Sequence, residues 1–333
     1  MTSLDPPHQT PPQTPRQNTR LKQAFGRNAP LLVVIVLIIA MVIAGALMTD
    51  RFLTLRNFTN IVEQSTGLGL VSLGQTFAVL TAGIDLSVGS VMSLASTLAS
   101  GLIDKDVAQA AWVIPMVLLL CALIGATNGL LIHQLGIHPL IVTLGTGTVL
   151  QGLTLLYALS PVGGMPRALE FVAYETVLGV PIGAAIMMLL FLAAAVFLGH
   201  TRAGRDIYAF GDDAEAARLV GINRARVLLT VYGFSGLMAG IAGVYLAIRF
   251  GVGQPYLGVN YTLSSITPVV VGGTMLSGGR GGVLGTLLGV FLVGVLNNLL
   301  NFLQVSTHFQ LVAQGAIIIA AVSIYVDTRR SRT

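Results

Sequence analysis

The chain has 333 residues, is 54% hydrophobic and only 9% charged, where an ordinary soluble domain is about a quarter charged, so a soluble globular domain is excluded. A net charge of +5 would suit nucleic acid, but the basic residues are placed as a membrane topology demands. The one cysteine, Cys121, lies in an apolar run, and neither Lys22 nor Lys105 follows a glycine; disulfide frameworks, cysteine metal sites and a phosphate-binding P-loop are excluded.

Residues 1–29 are polar, proline-rich and basic, and read as a disordered tail. The uncharged run 30–48 is long for a cleaved leader and reads as a retained first span. Further apolar segments follow at 61–81, 87–103, 111–132, 138–158, 180–199, 227–247, 263–276, 282–304 and 309–326, giving ten spans, of which 263–276 and the division around Gly83 are the weakest. The histidines His8, His133, His138, His200 and His308 are scattered; His133 and His138 flank a short turn and read as interfacial residues rather than a metal pair.

Between the second and third segments lies Thr81-Ala82-Gly83-Ile84-Asp85-Leu86-Ser87-Val88-Gly89-Ser90. A charge at membrane depth costs about 2.5–3.5 kcal/mol on insertion scales, so it faces protein or a water-filled cavity. Gly83, Ser87 and Gly89 around Asp85 are the chemistry of broken or re-entrant backbone.

With the N-terminus in the cytoplasm and spans alternating, 13 of the 18 Lys and Arg residues fall inside, as the positive-inside rule requires. Both termini, including residues 327–333, are then cytoplasmic. The chain also echoes itself: Gly83-Ile84-Asp85-Leu86-Ser87-Val88-Gly89-Ser90-Val91 is similar to Gly258-Val259-Asn260-Tyr261-Thr262-Leu263-Ser264-Ser265-Ile266, and Gly125-Ala126-Thr127-Asn128-Gly129-Leu130-Leu131 to Gly294-Val295-Leu296-Asn297-Asn298-Leu299-Leu300. The expected fold is therefore an all-α polytopic membrane protein of about ten transmembrane helices in two inverted five-helix halves, 30–178 and 179–326. Broken segments are expected near 83–89 and 258–265. The alternative is that apolar, glycine-rich segments resemble one another without being repeats.

The most polar internal stretch, 200–226, holds five arginines and four acids and falls on the cytoplasmic side. Residues 214–220 suit a short helix, with Asp212 or Asp213 capping its start, Glu215 in its first turn and Gly221 at its end. Such a helix either rests on the bilayer surface or docks a cytoplasmic partner.

Glu215-Ala216-Ala217, with Gly221 four residues after Ala217, resembles the E-A-A-x-x-x-G pattern of permease subunits of ATP-binding-cassette importers. The flanking Gly204-Arg205 and Tyr208-Ala209-Phe210-Gly211, the run Gly83 to Gly89, and Val270-Val271-Gly272-Gly273-Thr274 with Gly278-Gly279-Arg280-Gly281 resemble the monosaccharide branch. The likeness covers about residues 31–326. It implies a ribose-type permease in a bacterial inner membrane, working with a second permease copy or paralogue, cytoplasmic ATPase subunits gripping the 200–226 loop, and a periplasmic or lipid-anchored sugar-binding protein. It implies no catalytic residue, cofactor or metal on this chain, ATP and Mg belonging to the partner. Nucleosides or other small polar solutes are the alternative cargo. An ion-coupled secondary transporter would need embedded titratable groups, for which only Glu63 and Asp85 are available. The chain departs from many relatives in carrying Thr262 and Ser264 where they have acids, Asp213 where they have Asn, and a long proline-rich tail.

A neutral sugar needs hydrogen-bonding groups in its path. Gln75, Asn128, Gln151, Asn297 and Asn301 are candidates, with Gln64 and Asn298 beside them; each could equally be an interhelical hydrogen bond of about 0.6 kcal/mol. Asp85 could cap the helix beginning near Ser87, contact sugar hydroxyls, or carry protons; Ser87, Gly89 and the lack of a nearby basic residue favour the cap. The glycines of 272–285 allow close helix contact, and 278–282 suits a tight cytoplasmic turn.

Overall fold

The computed structural model describes residues 17–306 together with 309, 310, 312, 315 and 316, and gives side chains from residue 31 onward. Most of the last expected span, 309–326, lies outside the described residues, as do the tail 327–333, residues 1–16 with His8, and His308; residues 17–30 are described in backbone only. In chain order the helices are α1 (Gln17–Met48), α2 (Leu55–Leu80), α3 (Val88–Ile103), α4 (Val107–Leu135), α5 (Pro139–Tyr157), α6 (Phe171–Tyr174), α7 (Ile182–His200), α8 (Arg202–Asp212), α9 (Ala214–Leu219), α10 (Arg224–Phe250), α11 (Val259–Ser264), α12 (Ile266–Val271) and α13 (Val283–Phe302). A two-residue antiparallel hairpin, β1 (Thr176–Val177) with β2 (Val180–Pro181), lies between α6 and α7.

Local chemistry sets the boundaries. Thr54, Asp106 and Asn223 cap α2, α4 and α10, each side chain accepting a first-turn backbone N–H. Pro139 opens α5 at its first turn, where its missing N–H costs nothing. His138 caps that helix, its Nδ1 accepting from Leu140 N at 3.3 Å.

Among the described residues, six helical stretches are long and apolar enough to cross a membrane: Leu31–Met48, Val107–Leu135, Pro139–Tyr157, Ile182–His200, Arg224–Phe250 and Val283–Phe302. The chain is thus a polytopic membrane protein. The other expected segments are helical with a different character. α2 is long but rich in Ser, Thr, Gln and Gly, and it is buried continuously from Ser65 to Leu80. α3 has 16 residues, and α11 and α12 have six each. A helix walled by protein does not need the hydropathy of one facing lipid, which is why composition ranks these segments low.

The centre of the bundle is α10, packed against α2, α3 and α4, with Tyr232, Met238 and Leu246 among the largest fully buried side chains. The α4–α10 contact is a seam of small residues. A β-carbon at Gly125 would collide with the carbonyl oxygen of Tyr232, and one at Gly236 with that of Cys121, so the two backbones touch where only glycine fits. A second, smaller apolar cluster (Phe52, Ile61, Val295) joins α2 to α13, where Asn57 and Asn298 exchange two side-chain amide bonds of 3.1 and 2.9 Å.

The chain leaves the helix twice inside the bundle, at 81–87 and at 251–258. The second irregular stretch precedes Gly258 instead of spanning 258–265: α11 starts directly after Gly258, and Ser265 keeps helical angles between α11 and α12. The stretch runs antiparallel to α3, with Gln254 N donating to Ser96 Oγ at 3.3 Å and Gly258 N to Ser93 Oγ at 2.9 Å. Serines that α3 has no helical use for thus satisfy backbone that has left its own helix.

The seam gives a test. Gly125→Ala forces α4 and α10 apart and should cost about 1–3 kcal/mol by overpacking. Gly199→Ala, with nothing near its side, should cost nothing. Thermal melts of the detergent-solubilised protein should show a lowered Tm for the first and an unchanged or raised Tm for the second.

Candidate functional site

Asp85 sits at the first break. It is 1% exposed, and every donor it needs is supplied by protein. Its Oδ1 accepts from Ser87 N at 3.0 Å and Ser87 Oγ at 2.6 Å, and its Oδ2 accepts from Ser235 Oγ of α10 at 2.8 Å. Ser87 is the N-cap residue of α3, so the carboxylate gathers the backbone just ahead of that helix, at the positive end of its dipole. Asn128 of α4 donates to Ser87 Oγ at 2.9 Å. Thr143 of α5 takes Leu86 N at 3.1 Å and donates to Ile84 O at 3.2 Å. With the Gln75 amide turned so that its nitrogen faces the Asp85 carbonyl, it donates to Asp85 O at 3.0 Å and accepts from Asp85 N at 3.3 Å. Four helices, α2, α4, α5 and α10, therefore hold this turn. Charge-assisted bonds from three donors offset the burial of the carboxylate; no cation pairs with it among the described residues.

The second feature is α9. Asp213, not Asp212, caps it, its Oδ1 accepting from Glu215 N at 2.9 Å and Ala216 N at 3.0 Å. Its end is a Schellman motif: Ile222 N donates to Ala217 O at 3.0 Å and Gly221 N to Arg218 O at 3.1 Å, with Gly221 at φ +85°. Ala217 is buried, anchoring the helix, while Glu215 and Ala216 are exposed. Glu215 pairs with Arg218 at 3.2 Å, but both are exposed and such a pair contributes little. Leu219 and Val220 stand 80% and 78% exposed on this otherwise polar end of the bundle. Arg205 and Asp212 are exposed on the adjoining α8.

The two features are connected through backbone. Gly279 N donates to Leu80 O, the last residue of α2, at 3.0 Å. Tyr208 of α8 donates to Gly281 O at 3.0 Å, and burial pushes its phenol pKa above the usual value, keeping it a donor. A β-carbon on Gly211 would collide with Leu80 O, and one on Gly279 would lie 2.7 Å from Asp212 Cα. The glycine turn at 278–282 thus clamps α8 to the base of the Asp85 break. The two echo segments also meet, Gly89 and Gly258 lying so close that a β-carbon on either would collide with the other's carbonyl oxygen.

The amides expected along a path are not brought together. Gln75 and Asn128 are fully buried around Asp85. Gln151 is half-buried and donates to Pro255 O at 3.0 Å. Asn297 is half-buried on α13, and Asn301 is exposed and accepts from Gln310 at 2.8 Å. Gln64 is exposed and donates to Asn60 at 2.7 Å. At the end of the bundle opposite α9, Glu63 pairs with Arg249 at 3.1 Å, Tyr245 donates to Glu63 O at 3.4 Å, and Tyr174 donates to Arg249 O. Glu63 is therefore an ion-pair member and not a lone titratable group. Ser235 is not among the residues the sequence singles out, and Tyr208 enters there only within the family motif. A hydroxyl in the middle of an apolar span was the available signal for Ser235.

Compared with known proteins, residues 57–322 match the family model described as branched-chain amino acid transport system / permease component. The chain belongs to this permease family. The permease is 38% identical to the ribose import permease protein RbsC of Bacillus subtilis, over 96% of its own length and 98% of that protein. It is 35% identical to the D-allose transport system permease protein AlsC of Escherichia coli, over 87% and 89%. It is 34% identical to the fructose import permease protein FrcC of Rhizobium meliloti, over 91% and 87%. No solved structure matches it.

The permease's Asp85 turn separates charge from hydrogen bonding. Asp85→Asn keeps an acceptor for Ser87 and should leave yield and Tm near wild type. Asp85→Leu strands the Ser87 N–H and hydroxyl and the Ser235 hydroxyl, at about 1–3 kcal/mol per orphaned buried group. It should abolish monodisperse protein in size-exclusion chromatography. Equal losses in both variants would mean the charge itself is required.

Proposed function

We propose that the chain is the membrane-spanning subunit of an ATP-binding-cassette importer that carries a monosaccharide of the ribose, xylose or galactose kind across the inner membrane. The observation that carries this reading is α9, a six-residue helix capped at both ends by its own sequence, with Glu215 exposed and two bare aliphatic side chains at its tip. Its ends are closed by local hydrogen bonds, Ala217 seats it on the bundle, and Leu219 and Val220 offer apolar surface that solvent disfavours. The printed names of the relatives, import permeases for ribose, allose and fructose, support a sugar as cargo. The pairing of Glu63 with Arg249 leaves Asp85 alone as an embedded acid, which disfavours ion-coupled transport.

In this reading the chain does no chemistry and binds no cofactor. Two ATPase subunits grip the loops 200–226 of a permease dimer from the cytoplasm, and ATP with its Mg stays on those partners. A sugar-binding protein delivers cargo to the opposite face. About ten spans, in inverted halves 30–178 and 179–326, rock between outward- and inward-open states, and both termini, 1–29 and 327–333, stay cytoplasmic. The coupling residues are Glu215, Ala216, Ala217 and Gly221, with Arg205 and Asp212 beside them. Movement imposed on α9 reaches α8, then the glycine turn at 278–282, then the end of α2 and the Asp85 break, because those segments touch through backbone that cannot yield.

Burying Leu219 and Val220 against a partner is worth about 1.5–3 kcal/mol for each fully buried side chain. The double variant Leu219→Ser, Val220→Ser should therefore bind the purified ATPase subunit about tenfold or more weakly while melting like wild type. Unchanged affinity, measured by surface-immobilised titration, would remove α9 from the interface.

A further inference from the structure

One flank of the bundle carries exposed polar groups among exposed aliphatic ones such as Val149 and Val259. The irregular stretch 251–258 runs down α3 until Gly258 meets Gly89, about 20 Å along α3 from its Ile103 end. The hydrocarbon core of a bilayer is about 30 Å thick, so the first residues of α11 lie well inside it. There Asn260 is exposed, and its side chain makes no hydrogen bond among the described residues. Tyr256, just before it, is 58% exposed.

The neighbouring wall is α5. Gln151 of α5 donates to Pro255 O, which lays α5 alongside this stretch. Thr148, one turn away from Gln151 on adjoining helix surface, is exposed; its hydroxyl donates to Leu144 O at 2.9 Å and keeps its acceptor sites free. Backbone outside a helix, at membrane depth, is tolerated only where protein covers it or where it lines a water-filled cavity, and an unpaired amide facing hydrocarbon would carry its full desolvation cost. By contrast, Gln75 and Asn128 are enclosed around Asp85, where Gln75 bonds the Asp85 backbone and the Asn128 nitrogen donates to Ser87, the buried Asn128 oxygen having no partner among the described residues.

We propose that Thr148, Gln151, Tyr256 and Asn260 form one wall of the water-filled path, with Asn260 and Thr148 hydrogen-bonding the hydroxyls of a neutral sugar and the Tyr256 ring covering its apolar face. The assignment of a sugar rests on the proposed function; the water-filled path rests on exposure and depth alone. No charged side chain is part of the wall, which suits an uncharged polyol. Thr148, Tyr256 and Asn260 are exposed, so these three side chains can be changed without disturbing the packing around α10, while Gln151 is half-buried and holds Pro255 O.

Cys121, the only cysteine, is buried, so single-cysteine variants can be read against a silent background. In the full importer in membranes, Asn260→Cys and Thr148→Cys should react with a charged, membrane-impermeant thiol reagent. Leu123→Cys and Leu189→Cys, 56% and 65% exposed on the apolar spans α4 and α7, should not react. No labelling of Asn260→Cys, with or without ATP, would overturn the proposal by showing that the flank is sealed by lipid or by a second copy. Asn260→Ala should lower ribose uptake about three- to tenfold, the worth of one hydrogen bond, with binding to the ATPase subunit unchanged, and Asn260→Gln should recover part of it. Labelling together with normal uptake by both Asn260→Ala and Thr148→Val would overturn the sugar contact. If the wild-type importer moves no sugar with ATP while Asn260→Cys still labels, the monosaccharide reading fails and the water-filled path stands.

Discussion

Backbone that leaves a helix inside a membrane-thick bundle must find its hydrogen bonds in protein or in a water-filled cavity, and the architecture follows from how protein side chains serve two such departures. At 81–87 the solution is Asp85, whose carboxylate gathers Ser87 and reaches Ser235, 150 residues away in sequence. At 251–258 the solution is a row of α3 serines. Both solutions converge on α3, which starts at the first break and supports the second. The central packing of α10 against α2, α3 and α4, with its glycine seam, brings the required side chains within reach.

This arrangement supplies the buried Asp85 carboxyl group with hydrogen bonds where no cation pairs with it among the described residues. A carboxylate with three donors and a helix N-terminus ahead of it is compensated by dipoles that folding already supplies. The same contacts join α8, beside α9, to the bundle interior. The segments between α9 and Asp85 are held by glycine backbone contacts and by the bonds from Gly279 and Tyr208, so displacement of α8 cannot be absorbed by side-chain adjustment. A packed core responds to such displacement by switching between arrangements rather than by deforming.

Features set by local chemistry were readable from the sequence. The apolar runs at 30–48, 111–132, 138–158, 180–199, 227–247 and 282–304 correspond to helices long enough to span a membrane. The ends of α9 followed from Asp213, Glu215 and Gly221, which act within a few residues of themselves. What could not be read was tertiary. Nothing local tells that Gln75 and Asn128 are consumed around Asp85 while Asn260 is left exposed, because the three amides sit in equally apolar surroundings. The irregular stretch fell before Gly258 because its stabilising partners, Ser93 and Ser96, belong to another helix. The low hydropathy of α2 reflects its enclosure by neighbours, which hydropathy cannot register.

The most direct test of the account is transport by the reconstituted importer: permease, ATPase subunit and sugar-binding protein in proteoliposomes, with radiolabelled ribose outside. The account predicts accumulation that requires ATP hydrolysis by the partner and persists when the proton gradient is collapsed. Accumulation without ATP that vanishes with the proton gradient would contradict it.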